Sequence, residues 1–240
     1  MFMRFFCLFA GLFWSVTLSA QNESFFTDPS SLTPWTEGGF ELRYQHPDIA
    51  KLAQQFDSIM IDQPEIRIAA DSKYKGAKGD HLKQLADVGR MALAERIKAG
   101  GWKVVEEPGP NVFYLRWSIT DLFLKKKKRG LLSYTPVGLV VHTTAQAAIQ
   151  DLWKKIDIVE LNLMIEFSDS VTGEVLGAGR SWRGAAKTSD QKQELVTWQE
   201  LDALFSTIGE QTRCRLDNSK LADADKRTDC HSIIVEPAEG

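Results

Sequence analysis

Two long runs of alternating side chains constrain the fold of this chain more than any other feature. Apolar side chains take every second position from Phe113 to Ile119 within residues 112–124, and from Val159 to Phe167 within residues 156–167. Because the side chains of a β-strand point alternately to its two faces, each run predicts a long strand with one face in a core. A turn at 169–174 and a third run at 175–184 follow, which together predict an antiparallel hairpin.

Two further segments have the spacing of amphipathic helices. Asp80 can cap the first helix, which runs to Ala99 and is stopped by the glycines at 100–101. Residues 197–200 form a capping-box pattern, and an apolar stripe continues from there to about Leu216. The sequence therefore predicts two long helices, one on each side of the long strands in chain order.

Shorter apolar segments complete the predicted sheet. Residues 56–61 and 65–68 indicate one strand interrupted at Pro64, or an edge strand, because proline cannot donate a hydrogen bond to a sheet ladder. Residues 102–105 indicate a further short strand. This order of elements predicts a two-layer α+β fold, with a mostly antiparallel sheet and two amphipathic helices on one face.

The chain is expected to contain a single domain between two less regular ends. Residues 21–43 are rich in Pro, Gly, Ser and Thr and predict an irregular N-terminal lead-in. Residues 44–217 carry all the predicted long strands and helices and form the expected α+β domain. Residues 218–240 are mostly charged or small and predict a C-terminal tail.

Residues 1–20 have the pattern of a secretory signal peptide. Arg4 is the only charged residue, an apolar run follows from Phe5 to Trp14, and small or polar residues continue to Ala20. The expected cleavage is after Ala20 or after Ser19. An uncleaved anchor is the alternative, but the apolar run is shorter than the roughly 20 residues that a membrane span needs. We therefore expect an exported, periplasmic protein.

The cysteines agree with export. Cys7 lies in the signal region, and the remaining pair, Cys214 and Cys230, predicts a disulfide that ties the tail to the last helix. Closing a loop of this size stabilises a folded protein by about 3 kcal/mol in the chain-entropy model. Two free thiols in a reducing compartment are the alternative. No cysteine directly follows the signal region, so we expect no lipid anchor.

Residues 125–153 form a long insertion between the two longest predicted strands. It begins with five basic residues in a chain whose formal net charge is -3, and an uncharged, partly apolar stretch follows. Three interpretations stay open: a structural element folded over the sheet, a contact surface for an envelope partner or a second copy of the chain, and a contact with a membrane surface. The candidate contact residues are Lys125, Lys126, Lys127, Lys128, Arg129, Leu131, Leu132 and Tyr134.

The sequence contains no pattern typical of an active site or a metal site. The four His residues lack zinc-ligand spacing, and no phosphate-binding glycine loop precedes a helix. The segment Gly179–Arg183 lacks the second glycine of a hydrolase nucleophile elbow. Glu160 and Glu166 share strand parity, which fits paired carboxylates or a solvated sheet face. We therefore predict no catalytic, cofactor-binding or metal-binding residue, and the near-neutral charge predicts no nucleic-acid partner.

Six short blocks occur in a specific order along residues 45–216. They are Ser58–Asp62, Lys73–Gly76, Glu107–Pro110, Thr120–Asp121, Pro136–Val140 and Asp169–Glu174. In this order they resemble a bacterial cell-envelope family known as domain of unknown function 3313. The resemblance implies export in bacteria of the Gram-negative type, and it supplies no activity, cofactor or catalytic residue. Many members resemble lipoproteins, whereas this chain lacks the lipid-acceptor cysteine.

These observations lead to two functional hypotheses. The first is a non-enzymatic binding or assembly module of the bacterial envelope, with residues 125–153 as its contact surface. The alternative is a hydrolase that acts on an envelope polymer. An enclosed pocket that holds several ionisable groups with shifted pKa values would favour the hydrolase.

Overall fold

The computed structural model of the chain describes residues 25–35, 40–126, 156–184, 198–221, 225–233 and 235. These residues form one mixed, mostly antiparallel sheet with helices packed on it, so the predicted α+β class is confirmed. The strands are β1 (Thr33–Pro34), β2 (Leu42–Gln45), β3 (Ser58–Ile61), β4 (Glu65–Ile68), β5 (Lys103–Val105), β6 (Val112–Lys126), β7 (Ile156–Asp169) and β8 (Val175–Gly184). The helices are α1 (Ile49–Leu52), α2 (Gly79–Ala99) and α3 (Trp198–Ser219).

The centre of the sheet is an antiparallel meander of β6, β7 and β8. β6 and β7 stay paired to their far ends, where Lys126 lies opposite Ile156. In the tight turn from β7 to β8, the Asp169 carboxylate accepts hydrogen bonds of 2.7 and 2.9 Å from two backbone N–H groups. Gly173 follows with a φ of 73°, a conformation that favours glycine. The predicted hairpin is therefore confirmed.

The shorter strands extend the meander on both sides. The order is β1-β2-β8-β7-β6-β3-β5, and β4 pairs with β6 beyond the end of β3. The segment interrupted at Pro64 thus supplies two strands to one edge of β6, at residues 112–115 and 118–122. Both run parallel to β6, and parallel strands need a crossover connection. Helix α2 provides this crossover between β4 and β5.

Helices α2 and α3 pack side by side on one face of the sheet, where Trp117 of β6 contacts both. The Trp117 ring meets Phe205 of α3 edge to face, with ring centroids 6.2 Å apart. A Cβ atom on Gly89 of α2 would lie only 2.7 Å from the Trp117 ring. Gly89 therefore lets the helix approach the sheet more closely than any other residue would allow.

The ends of the helices differ in part from the prediction. Lys78 has an extended backbone and α2 begins at Gly79, so Asp80 lies in the first turn and the predicted cap was wrong. The Asp80 carboxylate there still lies at the positive end of the helix dipole. Helix α3 continues to Ser219, and the capping box predicted to begin at Thr197 lies outside the described residues. Within those residues, every helix is too short or too polar to span a bilayer.

The N-terminal segment Phe25–Leu32 covers the opposite face of the sheet. The phenyl rings of its first two residues are buried against Met164 and Ala178. Strands β1 and β2 follow, and β2 pairs antiparallel with β8. Part of the segment 21–43, predicted as an irregular lead-in, is thus packed against the sheet or paired with it.

Candidate functional site

A cleft of about 220 Å³ lies between the β2–β8 side of the sheet and the C-terminal part of α3. Its floor is apolar and comes from positions of the long strands that face the helices. The ring of Phe113 stacks on Phe56 at 4.1 Å and meets Phe167 edge to face at 6.4 Å. These contacts hold the floor in place. The floor residues are Phe113, Ile165, Phe167 and Leu176.

Two glycines of β8 shape the wall of this cleft. Phe40 lies directly on Gly179, where a Cβ atom would come within 2.7 Å of its ring. At Gly177 a Cβ atom would meet nothing closer than the backbone oxygen of Tyr44 at 3.7 Å. Gly179 is therefore needed for packing, whereas Gly177 leaves space that a larger side chain would fill.

The rim of the cleft carries three cations from three separate segments. Arg43 comes from β2, Arg215 from α3 and Lys226 from the C-terminal tail. The Arg43 guanidinium lies 4.8 Å from the ring centroid of Trp35, and Arg215 lies 4.7 Å from that of Phe40. Burial lowers the pKa of Arg43 from its usual value. Aromatic contacts thus fix the direction of two of the cations.

The cleft has a one-sided charge. Among the described residues that line it, none is an Asp, Glu, His or Cys. Low-dielectric walls lined with charges of one sign focus the electrostatic potential inside a cleft. An apolar floor beneath a cationic rim can therefore bind a molecule with an apolar part and an anionic group.

The predicted disulfide between Cys214 and Cys230 is confirmed, with Cα atoms 5.6 Å apart. It joins α3 to the C-terminal tail, as the sequence predicts. The tail also carries Lys226 to the cleft, so the disulfide lies close in sequence to a rim cation.

Most of the predicted contact surface falls outside the described residues. Lys125 lies near the end of β6 opposite Asp157, and Lys126 is the last residue of that strand. The surface therefore stays a prediction. The residues outside the described ranges are Lys127, Lys128, Arg129, Leu131, Leu132 and Tyr134.

The two glutamates with shared strand parity do not form a carboxylate pair for catalysis. Glu166 is buried, accepts two hydrogen bonds from Thr27 and faces Arg116. Glu160 lies six residues earlier on β7, opposite Phe123. Glu166 thus attaches the N-terminal segment to the sheet, and its oxygens are already occupied.

The cleft could not be predicted from the sequence because its rim residues are far apart in the chain. Arg43, Arg215 and Lys226 lie in three separate segments of the sequence, and no local pattern connects them. The one signal in the sequence was the pair of glycines in β8, since glycine in a strand marks a bulge or a close approach.

Comparisons with known proteins give a family and remote structural likenesses. A family model described as "Protein of unknown function (DUF3313)" matches residues 22–212. No curated protein matches the chain. A variant of the PelC dodecamer from Paraburkholderia phytofirmans aligns with a TM-score of 0.35 and 11% identity, over 69% of this chain and 90% of that one.

Two further solved structures are similar at the same level. Another PelC dodecamer from Paraburkholderia phytofirmans has a TM-score of 0.34 and 10% identity, over 69% of this chain and 87% of that one. A neuraminyllactose-binding hemagglutinin homologue from Helicobacter pylori has a TM-score of 0.29 and 11% identity, over 71% of this chain and 90% of that one. Because these scores lie below 0.5, no assembly state or ligand is transferred to this chain.

Proposed function

The chain belongs to the DUF3313 family of proteins of unknown function, and on that premise we propose that it is an exported, non-enzymatic binding module of the bacterial envelope whose cleft binds an anionic amphiphile. One observation carries the proposal: the apolar floor lies beneath Arg43, Arg215 and Lys226, and no carboxylate is present among the described lining residues. The floor suits an alkyl chain, and the cations suit a carboxylate or phosphate group.

The size of the cleft limits the ligand. Its volume of about 220 Å³ is below the roughly 300–1,000 Å³ of pockets that enclose drug-sized molecules. A short alkyl chain with one anionic group fits this space better than a bulky ring system. We therefore take a medium-chain carboxylate as the simplest probe.

The composition of the cleft favours binding over catalysis. Hydrolysis needs a general base or an activated nucleophile within reach of the substrate. The described lining offers arginine, lysine, amide and hydroxyl groups, and no carboxylate or imidazole beside them. The alternative hydrolase hypothesis therefore gains no support from this site.

Export is part of the proposal. The disulfide between Cys214 and Cys230 fits an oxidising compartment such as the periplasm. The signal peptide proposed at residues 1–20 lies outside the described residues. Intact-mass measurement of the protein from a periplasmic extract tests this part, with a mature chain that begins after Ser19 or Ala20 as the expected result and a full-length cytoplasmic chain as the contrary one.

Residues 125–153 remain our proposed contact surface for an envelope protein, a second copy of the chain or a membrane surface. The five basic residues at 125–129 and the uncharged stretch after them support this role. Lys125 and Lys126 are the last two residues of β6, so the proposed surface would start at the end of that strand. It is separate in sequence from the residues that line the cleft.

Calorimetric titration of the full chain with octanoate and with uncharged octanol tests the ligand class. A charged hydrogen bond contributes about tenfold in affinity, so octanoate is expected to bind about tenfold more tightly than octanol. Arg215→Gln should reduce this ratio, and Gly177→Val should weaken both probes because it fills the cleft. Lys98→Gln is the matched control, since Lys98 is exposed on α2 outside the cleft. Equal binding of the two probes, or no binding of either, would contradict the proposal.

A further inference from the structure

The C-terminal tail is attached along one stripe of α3. Residues 207, 211, 214 and 218 follow the spacing of one helix face. Val235 N–H donates to Thr207 Oγ1 at 2.9 Å, and the Gln211 amide donates to the carbonyl of His231 at 3.1 Å. The next attachment along the stripe is the disulfide between Cys214 of the helix and Cys230 of the tail. The tail thus runs antiparallel to α3, from the C-terminal end of the helix back towards Thr207.

The last attachment on this stripe is the side chain of Asn218. Its Nδ2 donates to the carbonyl of Arg227 at 2.7 Å, and its Oδ1 accepts from Arg227 N–H at 2.9 Å. Nδ2 also lies 3.2 Å from Cys230 Sγ. One amide therefore holds both backbone groups of Arg227, next to the disulfide. A side chain that satisfies both groups of a residue fixes that residue's position along the helix.

We infer that Lys226 sets the preference of the cleft for anions and that Asn218, locked by the Cys214–Cys230 disulfide, is its positioning residue. Lys226 directly precedes Arg227, the residue that Asn218 holds, and it reaches the rim of the cleft. The other two rim cations come from β2 and α3 rather than from the tail. This inference rests on the proposed function, because it concerns the same cleft.

Both residues line the cleft, and their chemistry separates their roles. Lys226 offers a charge to the ligand, whereas Asn218 keeps the tail in register so that the charge stays at the rim. Loss of either should weaken the binding of an anion more than that of an uncharged molecule with the same chain. Because Asn218 acts through Lys226, removing both should weaken anion binding little more than removing Lys226 alone.

The test compares octanoate with octanol on four variants of the full chain. Lys226→Gln is expected to lower the affinity ratio of octanoate to octanol about threefold to tenfold. Asn218→Ala and the paired Cys214→Ser and Cys230→Ser changes should lower it by a similar factor. The double variant Lys226→Gln with Asn218→Ala should match Lys226→Gln alone. Octanol affinity reports on the floor of the cleft and should change little in all of them.

Arg227→Gln is the matched control. Its side chain forms an exposed ion pair with Asp229 at 3.0 Å, while Asn218 holds only its backbone. The ratio should therefore stay at the wild-type value. An unchanged ratio in Lys226→Gln would overturn the inference, and the proposed function would still stand if Arg215→Gln lowers the ratio. Additive losses in the double variant would overturn the positioning role of Asn218. A wild-type chain that binds neither probe would overturn both proposals.

Discussion

Thr27 and Glu166 lie 139 positions apart in the sequence and are joined by two hydrogen bonds. The backbone N–H and the hydroxyl of Thr27 donate to the two carboxylate oxygens at 2.8 and 2.9 Å. Arg116 lies 3.6 Å from one of these oxygens, and Glu166 is only 4% exposed. A buried carboxylate with its oxygens satisfied in this way fixes the N-terminal segment on the sheet.

Replacing this carboxylate by an amide should destabilise the fold. In Glu166→Gln the charge facing Arg116 is lost and an amide N–H₂ group replaces one acceptor of the Thr27 hydrogen bonds. We expect the free energy of unfolding in urea to fall by about 2–4 kcal/mol. Glu106→Gln is the matched control, because Glu106 pairs with Arg90 at 2.5 Å on the surface. Its effect should stay below about 1 kcal/mol, and equal effects would contradict a structural role for Glu166.

Gly89→Ala should destabilise the packing of α2 on the sheet. The added Cβ atom would lie 2.7 Å from the Trp117 ring, which is itself buried. Overpacking of this kind costs about 1–3 kcal/mol, which outweighs the gain in helix propensity of up to about 1 kcal/mol. Gly79→Ala at the start of the same helix is the control, since a Cβ atom there meets nothing within 4 Å. Urea unfolding should show a lower free energy of unfolding for Gly89→Ala than for Gly79→Ala. A Gly89→Ala variant as stable as the wild-type chain would contradict this prediction and show that the Trp117 ring can move aside.

Removing the disulfide should lower stability without unfolding the sheet. A closed loop of this length stabilises a protein by about 3 kcal/mol. The paired change of Cys214 and Cys230 to serine should lower the free energy of unfolding by that order. Adding a dithiol reductant should destabilise the wild-type chain and leave the serine variant unchanged. If the reductant destabilises both to the same extent, the effect does not come from this disulfide.

The insertion should be replaceable by a tight turn. Lys126 lies opposite Ile156 in the antiparallel register, so the strands are already side by side where the insertion leaves the sheet. Asn-Gly is the preferred two-residue turn for such a hairpin. A chain with Asn-Gly in place of residues 127–155 should keep a cooperative unfolding transition by circular dichroism. Loss of that transition would mean that the insertion is part of the core.

The same variant tests the contact surface. The variant removes the proposed surface 125–153 except for Lys125 and Lys126. If that surface binds an envelope partner or a second copy of the chain, the shortened chain should lose cross-links that the wild-type chain forms in the envelope. Octanoate binding in the cleft should persist, because none of its described lining residues is removed. A folded variant that keeps every cross-link would contradict the contact role.

Tyr114 should make stability fall at high pH. Burial and a hydrogen bond of 2.6 Å to Asp62 raise the pKa of Tyr114 from 10.0 to about 12. The unfolded chain thus loses this proton at a lower pH than the folded chain, so the stabilisation is complete below pH 10 and is lost as the pH rises towards 12. Urea unfolding across this range should show a steeper loss for the wild-type chain than for Tyr114→Phe. Parallel curves would contradict the assignment.

The long strands could be predicted because each carries its own signal. The alternation in residues 112–124 and 156–167 is local, and the turn before Val175 brings β7 and β8 together. The direction of β3 and β4 relative to β6 could not be predicted, because the sequence of a four-residue strand does not show which strand it pairs with. Only the crossover through α2 makes these strands parallel to β6.

The candidate site could be predicted only in part. The disulfide could be predicted because Cys214 and Cys230 are the two cysteines outside residues 1–20. The rim of the cleft depends instead on tertiary packing. Arg43 and Arg215 are far apart in the sequence, but both line the cleft in the folded chain. Cations of this kind are common on protein surfaces, so their convergence becomes visible only in the folded chain.

The N-terminal cover of the sheet has a consequence for the order of folding. Phe25 and Phe26 are made at the start of the chain, but their partners Met164 and Ala178 belong to strands made much later. Contacts between residues so far apart in the sequence form slowly. The chain must lose conformational entropy to close the long loop before these contacts can stabilise it. The meander and its helices should therefore assemble first. The sheet face that carries Met164 and Ala178 should stay exposed to solvent until the N-terminal residues pack on it, as one of the last folding events.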